Sequence, residues 1–317
     1  NDRSCVTCHQ PQNGWTVSAV GIQARFAASN GADPIFRLVD GATCPSDDVS
    51  SPAAKLDAYQ LLLSKGLIRI GLPIPAGAEF TVTVLHDPYG CNTNPDTGLT
   101  TASSGIVSIY RRPLPATNLG FLSGIMWDGR EPSLTSQAID ATLGHAQGDA
   151  APNVAQQKQI VAFETGLATA QSYDNAAHDL NAAGANGGPA ALLDQLSAFF
   201  IGANDPFGLN PTGEAFNSNI FTLFQAWAAL PGTDSVTAAR EQIARGEAIF
   251  NTRPITITGV GGINDAQTPS VSGSCGTCHD TPNVGNHSVK APLDIGIVGA
   301  HASAPAGLDI SGLPVFS

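Results

Sequence analysis

Cys275-Gly276-Thr277-Cys278-His279 is the stretch around which the chain is organised, and its spacing recurs near the start as Cys5-Val6-Thr7-Cys8-His9. Two cysteines separated by two residues can add to the two vinyl groups of one haem, and the histidine after them can then coordinate the iron. A disulfide or a zinc site would use the same cysteines. However, a structural zinc takes four ligands, and neither segment has a second Cys or His pair at finger spacing. The repeat therefore predicts two covalent c-type haems, with His9 and His279 as iron ligands.

The composition indicates an acidic, loop-rich protein. The chain has 317 residues, which is enough for two domains, a charged fraction of 13%, 34 Gly and 22 Pro. Its net charge of −12 disfavours nucleic acid and anionic membranes and suits a basic redox partner of the cytochrome or cupredoxin type, although it serves solubility equally well. No run approaches the roughly 18 apolar residues of a membrane span.

The cysteines also indicate a compartment. Haem attachment to cysteine takes place outside the cytoplasm, so we expect a periplasmic or otherwise extracytoplasmic protein whose signal peptide has been removed. Cys44 and Cys91 lie in turn-rich segments outside both motifs. In an oxidising compartment this leftover pair predicts a structural disulfide in preference to two thiols.

The middle of the chain offers candidate site residues. Trp127 has a large polarizable ring that could stand between two cofactors, and Arg112 and Arg130 could neutralise haem propionates. Gln137 lies on the helix that follows, where it could point into a haem pocket. The alternatives are a packed Trp127 and an Arg130 paired with Asp128.

The order of these parts resembles the bacterial dihaem cytochrome c peroxidases and their relatives that mature tryptophylquinone cofactors. The resemblance is carried, between the two haem motifs, by Arg112-Pro113, Asn118, Trp127-Asp128-Gly129-Arg130, Leu134 and Gln137. It implies that Trp127 lies between the haems and passes electrons, and that Gln137 lines the peroxide-binding pocket. It also implies a homodimer and a calcium ion between domains, although no dense carboxylate cluster marks such a site.

The chain departs from the family pattern at three points. Gln147 stands where the family has a catalytic Glu, and because an amide cannot transfer the proton, His145 is the candidate acid or base. Met126 is the single methionine and precedes the second motif, whereas many relatives have a Met ligand after theirs. Only 38 residues follow His279 (317 minus 279), so we expect a chain that is processed or incomplete at its C-terminus.

The second axial ligands are left open by the sequence. His287 and His301 are candidates, and a hydrogen-bonding role is the alternative for His287. His86 could also reach an iron, with a surface loop as the alternative.

The predicted fold is mainly α, with two cytochrome c-like domains, long loops and few short strands. Residues 1–232 would form an N-terminal haem domain with helical insertions. Residues 233–317 would form a C-terminal haem domain, which opens with a run typical of small c-type cytochromes, Arg245-Gly246-Glu247-Ala248-Ile249-Phe250. Helices are expected over 51–64, 152–172, 189–200 and 214–230 and from 235 onward, with a loop over 252–274.

Three functions fit these features. The first is a periplasmic dihaem oxidoreductase that passes electrons through Trp127 to peroxide. The second is an electron-transfer cytochrome without catalysis. The third is a dihaem oxygenase using O₂, like the rubber-cleaving enzymes that resemble this family and do without that Glu.

Overall fold

The predicted fold class is wrong. A computed structural model describes residues 1–295 and 311–317, and of these residues 30% are helical and 13% lie in strands or bridges. Such a mixture is neither mainly α nor clearly cytochrome c-like. Within the described residues the helices are α1 (Cys5–Cys8), α2 (Ala19–Ser29), α3 (Pro52–Ala58), α4 (Gln60–Lys65), α5 (Leu134–Asp140), α6 (Val154–Gly166), α7 (Pro189–Asp194) and α8 (Ser235–Thr252). The strands are β1 (Ile68–Pro73), β2 (Val84–His86), β3 (Leu99–Thr101), β4 (Ser104–Arg111), β5 (Tyr173–Asp174), β6 (His178–Asp179), β7 (Ile255–Thr258), β8 (Ser270–Gly273) and β9 (Val315–Phe316).

The predicted helices are shorter than their apolar patterns suggested. The helix expected over 152–172 is α6, which ends at Gly166, and the apolar stretch over 214–230 keeps only a single 3₁₀ turn at Gln225–Trp227. Residues 252–274, predicted as a loop, contain the antiparallel pair β7–β8. Ile255 and Ile257 alternate there with threonines, and this period-two pattern outweighs the surrounding Gly and Pro.

The chain forms two compact units, each containing one Cys-x-x-Cys-His segment. Of the described residues, the first unit comprises 1–115, 142–150 and 311–317, and the second comprises 116–141 and 151–295. These bounds differ from the predicted 1–232 and 233–317. The reason is that α8 packs on the residues before it: Ala244 shares a core with Trp227, and Glu247 accepts a hydrogen bond from the Phe224 backbone.

The core of the first unit lies between its helices and the start of β1. Ile22, Phe36, Tyr59 and Leu62 are buried there, and Cys8 of the motif packs against them. The strands form a sheet in the order β1-β4-β3, with Ile68 opposite Arg111 and Pro73 opposite Ile106. A disulfide joins Cys44 and Cys91, as predicted.

The core of the second unit surrounds Trp227, which is fully buried. Its indole Nε1 donates to the Ala182 carbonyl at 2.9 Å, and the Arg240 guanidinium lies 5.1 Å from the ring. Helix α8 begins as predicted at Asp234, whose side chain accepts from the backbone of Val236 and Thr237.

None of the helices in the described part of the chain is long and apolar enough to cross a membrane.

Candidate functional site

The two motif segments share their hydrogen bonds, although the first is an α-helical turn and the second a 3₁₀ turn. Each begins at a serine whose backbone N–H donates to a threonine Oγ1 three residues on, at 3.1 Å for Ser4 and Thr7 and at 2.9 Å for Ser274 and Thr277. The backbone N–H of each histidine then donates to the carbonyl of the first cysteine, at 2.9 Å in the first segment and 3.0 Å in the second. This single turn places each histidine above the first cysteine of its own motif.

Each motif histidine is held through Nδ1. His9 Nδ1 lies 2.9 Å from the Trp15 carbonyl oxygen, and His279 Nδ1 lies 2.8 Å from that of Gly285. A carbonyl oxygen only accepts, so Nδ1 carries the proton and Nε2 carries a lone pair. Among the described residues neither Nε2 has a hydrogen-bond partner. This tautomer, with Nδ1 fixed on a carbonyl, is the arrangement of a metal-binding histidine.

The two accepting residues share a backbone conformation. Trp15 has φ +60° and Gly285 has φ +74°, both in the left-handed region. At Gly285 a side chain would also collide with the Phe221 ring. The left-handed conformation reverses the chain after each motif, so that a carbonyl six residues downstream returns to the histidine.

The motif cysteines are thiols in the structure, because the disulfide uses the other two cysteines. Burial raises the pKa of Cys8 to about 11 and raises that of Cys278 above its usual value. Reactive and redox-active Cys-x-x-Cys pairs have a lowered thiol pKa. The raised pKa values of Cys8 and Cys278 are opposite in direction to those of reactive thiols.

A zinc site would need further ligands. In residues 1–295 and 311–317, no group of three or more His, Cys, Asp or Glu side chains is arranged to hold a metal ion. A structural zinc takes four such ligands. The described residues around the two motifs therefore do not supply the ligand set of a structural zinc.

Arginines anchor the first motif inside its unit. Arg3 is buried and forms a two-pronged ion pair with Asp40 at 2.8 Å, and it also donates to the His145 carbonyl at 2.9 Å. Arg25 of α2 donates to the Thr7 carbonyl at 2.7 Å. The structure thus places His145, the candidate acid or base, in the same unit as His9.

Apolar residues support the second motif. A side chain at Gly276 would collide with Ile220, so this position has no room for one. The Phe221 and Phe250 rings meet edge-on at 5.0 Å, and Phe250 lies 6.1 Å from the His279 ring. His279 itself is exposed, although the Phe250 ring packs beside it.

A buried carboxyl group follows His279 directly. Asp280 is fully buried and accepts from Ser288 twice, from the backbone N–H and from Oγ, both at 2.8 Å. His287 Nδ1 lies 3.7 Å from Asp280 Oδ1, and Nε2 lies 3.2 Å from the Ala291 carbonyl. The neighbouring Asp280 raises the pKa of His287. His287 therefore makes one hydrogen bond, through Nε2, while its Nδ1 has no hydrogen-bond partner among the described residues, so both iron ligation and a hydrogen-bonding role stay open for it.

The remaining candidates are distributed over both units. Trp127 is half-buried in a turn of the second unit. In the same turn a single nitrogen of Arg130, Nη1, donates to both carboxylate oxygens of Asp128 at 2.7 and 2.9 Å, as in the alternative interpretation. In the first unit, Arg112 is exposed and donates to the Lys65 carbonyl at 2.8 Å. His86 is exposed on β2. His301 lies outside the described residues.

Several buried polar atoms of the second unit have no hydrogen-bond partner among the described residues. They are Gln137 Oε1, Glu164 Oε2, Asp205 Oδ1, Thr281 Oγ1 and Asn286 Oδ1. Burial also raises the pKa of Glu164, on α6, to about 7. A cavity of about 280 Å³ lies in this unit, and Thr281 is one of its lining residues. Buried polar atoms normally find a partner in protein, water or ligand, and of this set only Thr281 lines the cavity.

Comparison with known proteins adds no relative: no protein-family model, no curated protein and no solved structure matches the chain. The likeness to the dihaem peroxidases therefore remains a prediction from its motifs.

Three features of the sites were missed in the sequence. The full repeat is Ser-Cys-x-Thr-Cys-His, and the Ser–Thr spacing is itself a signal of a helix start. Gly14 and Gly285 mark the reversals that return a carbonyl to each histidine. Asp280 carries no such signal, because its partner Ser288 is eight residues away.

Proposed function

We propose that the protein is an extracytoplasmic dihaem c-type oxidoreductase. The observation that carries the proposal is the shared geometry of the two motifs. In each, a pair of thiols precedes a histidine whose Nδ1 donates to a backbone carbonyl and whose Nε2 presents a lone pair. One such histidine could be an ordinary surface residue, but two built from the same bonds indicate the same use.

The chain's own residues supply attachment and orientation. The thiol pairs Cys5/Cys8 and Cys275/Cys278 would hold the haems, and His9 and His279 would bind the iron through Nε2. When bound, haem supplies one-electron and peroxide or O₂ chemistry. The carbonyl on each Nδ1 fixes the ring and increases its basicity, which is how a protein tunes an iron centre.

Peroxide is the substrate we propose, on the resemblance together with two structural features. Gln137 Oε1 is buried and has no hydrogen-bond partner among the described residues, which is compatible with a group that meets a ligand. The backbone carbonyl of His145 accepts a hydrogen bond from Arg3, which lies two residues before Cys5. Its imidazole would move the proton that the amide of Gln147 cannot. Trp127 would carry electrons, which a small cytochrome or cupredoxin would donate.

Removing one cysteine pair at a time tests the attachment. We expect the Cys275→Ala/Cys278→Ala variant to keep one haem and the Cys5→Ala/Cys8→Ala variant to keep the other. Haem staining after denaturing electrophoresis measures what is covalently bound. Cys44→Ala/Cys91→Ala is the matched control, since it removes two cysteines and should keep both haems. Equal staining in all variants would refute the assignment.

An electron carrier is the second candidate, favoured by Gln147 at the position of the expected Glu. The electron paramagnetic resonance spectrum of the ferric protein, before and after mild reduction, separates the two. A high-spin iron signal means an exchangeable site, and product analysis then distinguishes peroxide from O₂ as the substrate. Two low-spin signals that persist through reduction and ignore added ligands mean a carrier.

A further inference from the structure

The second site contains a feature that the first lacks, a buried carboxyl group directly after the motif histidine, that of Asp280. A buried carboxyl is costly unless its oxygens accept hydrogen bonds, and here both do, one from the Ser288 N–H and one from its hydroxyl. Both donors are on one residue, eight positions away. The pair of bonds therefore closes a loop that starts immediately after His279.

The same loop carries the carbonyl that holds His279. Inside it, Thr281 N–H donates to the Asn286 carbonyl at 3.1 Å and Gly285 N–H donates to the Thr281 carbonyl at 2.8 Å. Gly285 then accepts from His279 Nδ1 at 2.8 Å. The position of this carbonyl thus depends on both ends of the loop, and Asp280 joins those ends.

The first site closes its loop differently. The residue after His9 is Gln10, whose backbone N–H donates to the Thr16 carbonyl at 2.9 Å, while the Trp15 N–H donates to the Gln10 carbonyl at 2.9 Å. Backbone bonds hold the loop here, without a carboxyl group after the histidine. The two sites therefore share the histidine–carbonyl bond but not its support.

We propose that Asp280 is the positioning residue for His279: it holds Ser288, and through the loop it keeps the Gly285 carbonyl on Nδ1. The proposal rests on the proposed function, because its predicted effect is a change in the midpoint potential of an iron bound to Nε2. A firm Nδ1–H···O bond makes the imidazole a stronger donor and stabilises ferric iron. Loss of Asp280 should then raise the midpoint potential of the haem at His279 alone.

The test is a spectroscopic redox titration of the full-length, haem-loaded protein. Asp280→Asn keeps the shape of the side chain but weakens its hydrogen bonds and removes its charge. Ser288→Ala keeps Asp280 and removes one bond. Substitution of a residue that supports a metal ligand typically changes metal affinity or activity by at least about tenfold. For Asp280→Asn we therefore expect the ferric–ferrous equilibrium to shift about tenfold toward ferrous iron. For one electron this is a rise in midpoint potential of about 59 mV. Ser288→Ala should give a smaller shift in the same direction, and Asp280→Glu should restore part of the wild-type value.

The haem at His9 is the internal control, and Asp194→Asn, an exposed carboxylate in the same unit, controls for a change of charge. A shift in Asp280→Asn with none in Ser288→Ala would mean that Asp280 acts by charge and not by position, which overturns the proposal. So would unchanged potentials, or equal shifts of both haems. If Asp280→Asn fails to fold, Ser288→Ala decides alone. A wild-type protein without haem at His279 would instead refute the proposed function.

Discussion

Glu164 gives the protein a pH dependence that one substitution should remove. Its side chain lies on the inner face of α6 with Oε2 buried and without a partner among the described residues. Burial raises its pKa from 4.5 to about 7, because the charged form loses hydration. Between these two pH values the folded protein keeps a proton that the unfolded chain has released. Stability must therefore fall as the pH rises from about 4.5 to about 7 and stay level above that.

The size of the effect follows from the same values. At about 1.36 kcal/mol per pH unit, the difference between 4.5 and about 7 sets an upper limit of about 3.4 kcal/mol. Part of the carboxyl group remains open to solvent, and screening reduces the expected cost to about 1–2 kcal/mol. Glu164→Gln imitates the protonated form and removes this cost. We expect it to stabilise the protein by about 1–2 kcal/mol near pH 8 and to change nothing near pH 4.5.

Thermal unfolding followed by circular dichroism at both pH values is the assay. A gain of about 1–2 kcal/mol should appear as a melting temperature higher by about 2–8 °C near pH 8. Glu241→Gln is the matched control, since this partly exposed residue of α8 makes only a 3.9 Å contact with Arg245 and should change stability by less than about 0.5 kcal/mol. An equal effect of Glu164→Gln at both pH values, or none at either, would show that burial of Glu164 does not cause a pH-dependent loss of stability.

Three further substitutions test other parts of the account. Trp127→Ala should slow electron transfer between the haems, seen in stopped-flow reduction, and unaltered kinetics of both haems would remove Trp127 from the path. His145→Ala should slow peroxide reduction at unchanged haem content. The control is His178→Ala, which removes a ring stacked on Tyr173 and should leave peroxide reduction unchanged. Unchanged turnover in His145→Ala would exclude His145 as the acid or base. Cys44→Ala/Cys91→Ala should cost about 2–4 kcal/mol in urea unfolding, because the disulfide closes a separation of 47 residues, and an unchanged midpoint would contradict a stabilising role.

Local signals in the sequence were read correctly where a few neighbouring residues decide the structure. In the stretch 51–64, where a helix was predicted, the Ser51 side chain caps α3 and Pro52 lies in its first turn, and α4 ends just before Gly66. The fold class was wrong because apolar spacing does not say whether a helix is completed. The predicted helix over 51–64 is interrupted at Tyr59, and the Ile-Arg-Ile alternation of β1 was not recognised as a strand.

The candidate site likewise contains residues that local sequence predicted and residues that it did not. The thiol pairs and their histidines follow from spacing alone, because each motif is a single turn. The Trp15 and Gly285 carbonyls depend on chain reversals six residues away, and Asp280 depends on a partner eight residues away. Contacts of this kind are set by the folded loop, so the residues that support the histidines could not be identified beforehand.

The most direct test of the central claim is the intact mass of the wild-type protein, produced in cells that attach haem to cysteines. If two haems are covalently attached, the protein is a single species heavier than the chain by two haems, and both are retained after denaturation. A mass equal to that of the chain alone, from cells that load a known c-type cytochrome in parallel, would contradict it.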